Sequence, residues 1–267
     1  MVEREEVRLP TMTDADLLVL CYHAVSEDWP AALSVTLQHF ESQIELLASQ
    51  GYQGTTFTRA ALDQIEGRVV AVTFDDGYRS VYEHARPILD RHGFPATVFI
   101  PTQLVKGQHQ LAWAGTDRWL DGPHEDELAP MSIDQLRSLA DSGWEIGSHS
   151  LTHPKLPHLD DGELRDQLAT SRRECTEMIG VECTSIAYPY GAVDDRVLSA
   201  SEEAGYSAAA LLSSDRVRAS RFARPRVGVY HADGPAIFRL KTSPLVRRLP
   251  LPARSALERA GRLVRHR

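Results

Sequence analysis

Short apolar runs that end in polar residues alternate along this chain with longer segments whose apolar residues recur at helical spacing. "DLLVLCYH", Asp16 to His23, reads as a buried strand. It leads into "TLQHFESQIELLASQGY", where Phe40, Ile44 and Leu47 share one helical face and Gly51 supplies the stop. "VVAVTFDD" predicts a second strand and "ATVFIP" a third. Between them, "YRSVYEHARPILDRHG" predicts a helix with Val81, Ala85, Ile88 and Leu89 as its stripe and a bend at Pro87. A loop-like insertion rich in Gly, Asp and Trp follows, from about Thr102 to Pro130. "SIDQLRSLADSG" is then a helix capped by Ser132, and "WEIGSHS" a strand. The long helix "DGELRDQLATSRRECTEMIG", the strand "TSIAYPYG", the helix "DDRVLSASEEAG" and the strands "YSAAALL" and "RPRVGVY" complete the alternation.

Strand, helix, strand throughout implies a parallel sheet, and seven or eight such units favour a barrel over an open sheet. Four polar segments, "CYH", "TFDDG", "GSHSLTH" and "AYPYG", fall at or just beyond the carboxyl ends of predicted strands. Barrel active sites assemble on that face.

The 267 residues, 42% of them hydrophobic, suffice for one large α/β domain. No window reaches the ~18 uninterrupted apolar residues of a membrane span. "MVEREEVRLPTMTDAD" lacks the apolar core of a signal peptide, so a cytoplasmic location is expected. Cys21, Cys175 and Cys183 have no CxxC spacing and read as reduced thiols rather than a disulfide framework or thiolate zinc site. The net charge of −8 conceals an asymmetry: residues 239–267 hold nine Lys/Arg and one acid, Glu258, against 20 basic and 36 acidic residues before them. The expected division is an extension at 1–15, a barrel domain at 16–238 and a basic tail at 239–267. The acidic body argues against a nucleic-acid partner. In the tail, Leu257, Leu263 and Val264 among arginines suit an amphipathic helix on anionic lipid or a protein partner, with a solvated tail as the alternative. Oligomeric state is not set by the sequence.

His149 and His153, four apart, can aim two imidazoles at one ion if the segment turns helically. The zincin pattern needs Glu after the first His, and Ser150 stands there instead. One Asp of the "DD" pair can complete a His-His-carboxylate set with open positions for water and substrate; the other, left off the ion, could take a proton from water. Taken singly, each fragment has a plainer reading: Asp75 as a helix cap, Asp76 as a solvent-facing acid, Tyr188-Pro189-Tyr190-Gly191 as a strand-ending turn, His23 as a hydrogen-bonded structural group. There is no Gly-rich phosphate loop and no GxSxG elbow.

"TFDDG", "GSHSLTHPKL" and "AYPYG", in that order, closely resemble the leading motifs of the polysaccharide deacetylases, carbohydrate esterase family four. The resemblance covers roughly Leu17 to Val229. It implies a distorted (β/α)7 barrel and metal-dependent removal of N-acetyl, occasionally O-acetyl, groups from carbohydrates. It assigns Asp75 as general base, and Asp76, His149 and His153 as ligands of a divalent metal: zinc first, with cobalt, nickel or iron(II) as alternatives. The turn Tyr188, Pro189, Tyr190 and Gly191 becomes a substrate-contacting element, with the Tyr190 backbone N–H at the oxyanion.

Two departures stand out. The usual Arg ahead of the "PYG" turn, which orients the base, is absent, and so is the usual C-terminal Leu-x-His that supplies the acid. The branch resembling biofilm poly-N-acetylglucosamine deacetylases has permuted motifs and takes its acid from an N-terminal "YH" strand, which "LVLCYHAV" matches. His23 is thus the expected acid, with His231 a distant second, and Arg226 in "RPRVGV" a substitute for the missing Arg. Two other functions compete: deformylation or deacetylation of a lipid-linked or nucleotide-linked sugar, and a metal-free sugar-binding pseudoenzyme. The Trp113 to Trp119 stretch is expected to shape the substrate groove.

Overall fold

The computed structural model describes residues 16–64, 66–212, 219–250 and 253. Seven parallel strands close a ring in chain order: β1 (Asp16–Tyr22), β2 (Arg68–Phe74), β3 (Thr97–Ile100), β4 (Glu145–Ser148), β5 (Ser185–Ala187), β6 (Ala208–Leu212) and β7 (Arg224–Gly228). β7 returns to β1, so β1 stands between β2 and β7. The ring is uneven. β1 and β2 pair over seven residues, Asp16↔Arg68 to Tyr22↔Phe74. β2 and β3 pair only at Thr73↔Thr97 and Phe74↔Val98, because the short strand Gln53–Thr55 occupies the lower half of that edge. This is the distorted (β/α)7 barrel.

Inside and outside follow the two-residue period of each strand. Leu18, Leu20, Tyr22, Val70, Val72 and Phe74 belong to the layer between strands and helices. Val19, Ala71, Phe99, Ala187, Ala208 and Ala210 fill the barrel, with Phe57 of α2 (Phe57–Leu62) below. Four of these fillers are alanine, and a guanidinium occupies the space: Arg226 lies over the Phe99 ring, 5.5 Å from its centroid.

The helices end where their caps dictate. α1 (Leu37–Ser49) starts at Thr36, α5 (Ile133–Asp141) at the Ser132–Gln135 capping box and α6 (Asp161–Ile179) at the Asp160–Glu163 box. The helix expected over 78–93 has two parts, a π-helical turn at Val81–Ala85 and then α3 (Arg86–Arg91). Pro87 has no N–H to bond the Glu83 carbonyl, and the turn widens ahead of it. The insertion at 102–130 is more ordered than a loop. It holds α4 (Thr102–Lys106) and two 3₁₀ turns, Asp117–Trp119 and Glu125–Leu128, over a cluster of Trp29, Tyr78, Leu111 and Leu128.

Among the described residues, α7 (Asp195–Glu203), α8 (Pro235–Thr242) and the short α9 (Pro244–Arg247) follow α6. The boundary expected at 238/239 falls inside α8, where buried Lys241 pairs with Asp233 and bonds the Gly228 carbonyl at 2.9 Å. Further on, Arg247 reaches the Leu17 carbonyl at 2.7 Å and pairs with Asp16. The N-terminal extension 1–15 and the amphipathic stretch with Leu257, Leu263 and Val264 lie outside the described residues. Among the described residues, no helix is long and apolar enough to cross a membrane. Cys21, Cys175 and Cys183 are free and buried.

Candidate metal and catalytic site

The inner parity of β2 runs Ala71, Thr73, Asp75, and the Asp75 N–H still bonds the Tyr22 carbonyl at 3.0 Å. Asp75 is therefore the last inward side chain of its strand. Asp76 should point outward, but its φ of 73° reverses the chain and brings its carboxylate back to the same face. Gly77 follows at φ 76°, where an added Cβ would lie 2.8 Å from Ile100 Cγ2. The "DDG" motif is thus a strand end followed by two left-handed residues.

His149 follows β4. Its N–H bonds the Ile100 carbonyl at 2.7 Å and its Nδ1 lies 2.7 Å from the Ala187 carbonyl. A carbonyl only accepts, so Nδ1 carries the proton and Nε2 keeps its lone pair. The four-residue spacing to His153 is not met by a helical turn, as the sequence suggested. Instead Ser150 and His153 adopt φ of 67° and 63°, and the bend is held by Ser150 N–H to Ser148 Oγ and His153 N–H to Ser150 Oγ. Of the six non-glycine residues with positive φ among the described residues, Asp76, Ser150, His153 and Tyr190 border this site. Such strain clusters where function requires a geometry.

The His149 and His153 Nε2 atoms lie 3.5 and 3.4 Å from Asp76 Oδ1. That oxygen is buried and has no hydrogen-bond partner, and neither has His153 Nδ1. Two imidazoles and one carboxylate, mutually within 4.8 Å, are a donor set that suits a divalent cation such as zinc. The electrostatics agree. Burial first, and then the charge of Asp75, push the Asp76 carboxyl well above its ordinary value. Burial and the neighbouring His149 lower His153 to about 2, and burial lowers His149. An anion that is costly to bury, beside imidazoles that resist protonation, is an arrangement that a bound cation would stabilise.

Asp75 is in the opposite condition. Arg226 Nη1 donates to its Oδ1 and Nη2 to its Oδ2, both at 2.7 Å, and Nη1 also donates to Thr73 Oγ1 at 2.9 Å. Burial opposes ionisation, but the Arg226 charge and this fork outweigh it and hold the carboxyl well below the usual range. Cys21 Sγ adds a donor 3.3 Å from Oδ2. Half-buried His23 completes this side, grouped with Cys21 and Asp75 within 4.8 Å. Its Nδ1 has no partner, and burial brings its pKa down to about 4. His231 lies elsewhere, with Nδ1 3.3 Å from the Ser34 carbonyl.

The turn after β5 divides its residues. Tyr188 is buried and donates its hydroxyl to the Phe222 carbonyl at 3.0 Å, so its side chain anchors the turn away from the groove. Pro189 is buried, and Gly191 takes φ 62° against Leu212. Tyr190, at φ 60° and 42% exposed, stands beside His153 with ring centroids 4.7 Å apart. Trp113 of the insertion stacks on the same imidazole at 4.0 Å and 22°. Sequence reasoning missed Cys21 and Thr73. Their inner parity with His23 and Asp75 was the available signal.

Residues 63–209 match the family model described as polysaccharide deacetylase. The chain is 28% identical over 203 residues to YxkH of Bacillus subtilis (strain 168), whose name places it among polysaccharide deacetylases, and 29% identical over 187 residues to the poly-beta-1,6-N-acetyl-D-glucosamine N-deacetylase of Staphylococcus aureus (strain MSSA476). These alignments take in 74% and 64% of this chain and 65% and 59% of the relatives, so the chain spans less than two thirds of their lengths. The structure of the Streptococcus pyogenes deacetylase PplD in complex with acetate superposes with a TM-score of 0.71 at 21% identity, covering 87% of this chain and all of that one. Because the family match extends over more than half of the sequence and includes "TFDDG", "HSLTH" and "AYPYG", the chain belongs to the polysaccharide deacetylase family.

Proposed function

We propose that the protein is a metal-dependent hydrolase that removes N-acetyl groups from a carbohydrate. The observation that carries this reading is the separation of two adjacent acids: Asp75 locked as an anion by Arg226, Asp76 buried beside two imidazoles with an unsatisfied oxygen. Asp76, His149 and His153 would hold the ion, zinc first, which supplies a Lewis acid for the acetyl carbonyl and a lowered pKa for water. Asp75 accepts the proton of the attacking water, breaking an O–H bond as the C–O bond forms. His23 serves the leaving nitrogen, which must depart as an amine. With its pKa near 4 it rests neutral, so the proton it donates is the one collected by Asp75, within 4.8 Å. The Tyr190 N–H is the donor assigned to the developing oxyanion, and the Tyr190 and Trp113 rings beside His153 offer flat apolar surfaces to a sugar.

The Staphylococcus aureus relative's name supports an amino-sugar polymer as substrate. The test uses purified protein, elemental analysis and amine release from poly-β-1,6-N-acetylglucosamine and chito-oligosaccharides. About one equivalent of metal, and release abolished by Asp75→Asn at unchanged metal content, is the expected result. Full release by Asp75→Asn would refute the assignment of the base.

A further inference from the structure

Asp75 closes β2 at the place where β7, β1 and β2 lie side by side, and side chains from all three face its carboxylate. Cys21 pairs in register with Thr73 on one side and with Gly228 on the other, so it stands between Asp75 and the strand that bears Arg226. Its sulfur is fully buried and 3.3 Å from Asp75 Oδ2. Among the described residues the other acceptor within reach, the Tyr22 carbonyl, is farther at 3.8 Å and uncharged. Burial, outweighing the nearby Arg226 charge, pushes the thiol pKa well up, so the group is a donor and not a thiolate.

Each carboxylate oxygen offers two lone pairs. On Oδ2 both are engaged, one by Arg226 Nη2 and one by the Cys21 thiol. On Oδ1, among the described residues, Arg226 Nη1 alone is bound. We infer that Cys21 is a positioning residue that, together with Arg226, closes Oδ2 to an incoming proton and leaves the remaining lone pair of Oδ1 as the accepting site of the base. This rests on the reading of Asp75 as general base. The proton leaving water forms an Oδ1–H bond while the thiol and guanidinium keep their own protons, so Cys21 is neither consumed nor oxidised. The thiol fixes the plane of the carboxylate, which a bidentate fork alone allows to rock about its two bonds.

The experiment compares Cys21→Ala, Cys21→Ser and Asp75→Asn for kcat, KM and bound metal on one chito-oligosaccharide. It also records the S–H stretching band of Cys21 as the Raman difference between wild type and Cys21→Ala. Loss of one weak donor to a charged acceptor predicts a kcat for Cys21→Ala lower by on the order of 10-fold, with KM and metal unchanged. Cys21→Ser should recover most of that loss, and Asp75→Asn should move the S–H band to higher frequency. Wild-type kcat in Cys21→Ala, a loss confined to KM or metal content, or an S–H band indifferent to Asp75→Asn would each overturn the inference while leaving Asp75 as base. Full activity in Asp75→Asn would overturn the underlying reading instead. If Cys21→Ala does not fold, Cys21→Ser replaces it as the Raman reference and decides: a serine enzyme with kcat reduced as far as an inactive base variant overturns the inference.

Discussion

Replacing Arg226 by Met keeps an unbranched chain of similar length in the alanine-lined barrel but removes the charge and the fork. Arg226 and Asp75 side chains are 1% and 4% exposed, so the pair is screened by protein rather than water. Two unit charges about 4 Å apart at an effective dielectric near 20 attract by about 4 kcal/mol, and breaking a buried pair by removing one partner costs about 3–5 kcal/mol. In the proposed role of general base Asp75 must be ionised to accept a proton, so the same interaction sets its availability. About 4 kcal/mol corresponds to roughly three decades, so the carboxylate becomes on the order of 10³-fold easier to protonate, and kcat/KM should fall most on the acid side of the profile. The sign with pH follows from the direction of the shift. In wild type the Asp75 pKa is depressed, so its contribution to stability is present above the ordinary carboxylate value of 3.8 and is lost only as pH falls through its lower folded value. In Arg226→Met burial is unopposed and the pKa is raised. The destabilisation then grows as pH rises through it, and the stability gap between the two proteins should narrow from pH 7 to pH 5. Urea denaturation at both pH values and amine release across pH 5–9 measure this, and the acid limb of activity should move upward. Arg226→Lys should preserve folding better than Met but not activity, because an ammonium cannot bond both oxygens. Arg226→Met with kcat/KM within about threefold of wild type and an unmoved acid limb would refute the reasoning.

Asp76→Asn and His149→Ala should each abolish stoichiometric metal binding, read by elemental analysis, while zinc at 100 times its dissociation constant should raise wild-type stability by about 2.7 kcal/mol. In metal-free protein the raised Asp76 pKa makes its stability contribution largest at low pH and progressively lost as pH rises, so Asp76→Asn should remove that slope and stabilise the metal-free fold at pH 7, in thermal or urea melts. Trp113→Ala strips the ring stacked on His153 and should weaken zinc affinity by on the order of 10-fold, measured by competition with a chelator. Lys241→Met removes the cation facing Asp233 and should cost about 3–5 kcal/mol in urea denaturation, part of it recovered by adding Asp233→Asn.

Much of this architecture was open to inspection in the linear sequence. Apolar runs and amphipathic helices in alternation specify a parallel barrel, since a strand buried on both faces and a helix with one apolar stripe have few other ways to bury themselves. Polar residues at the ends of "LVLCYH", "VVAVTFDD", "EIGSHS" and "SIAYPY" mark one face for chemistry, because strand ends are where a buried sheet meets water. The motifs also allotted different roles to Asp75 and Asp76. The absence of the usual Arg before "PYG" also points to Arg226 as its stand-in beside Asp75, but the contact itself is not readable from the sequence. Arg226 is 151 residues from Asp75, and whether it reaches the carboxylate depends on β7 closing against β1 with Arg226 on the inner parity. Asp76 and His153 reach the site through left-handed backbone that no residue pattern of theirs announces. Cys21 looks like an ordinary core residue until the ring places it beside Asp75, and the sequence that marks Trp113 as a groove residue does not show that it stacks on His153. Period and composition report which way a side chain faces, while what it meets there is decided by strand order, register and closure, and these are properties of the whole chain.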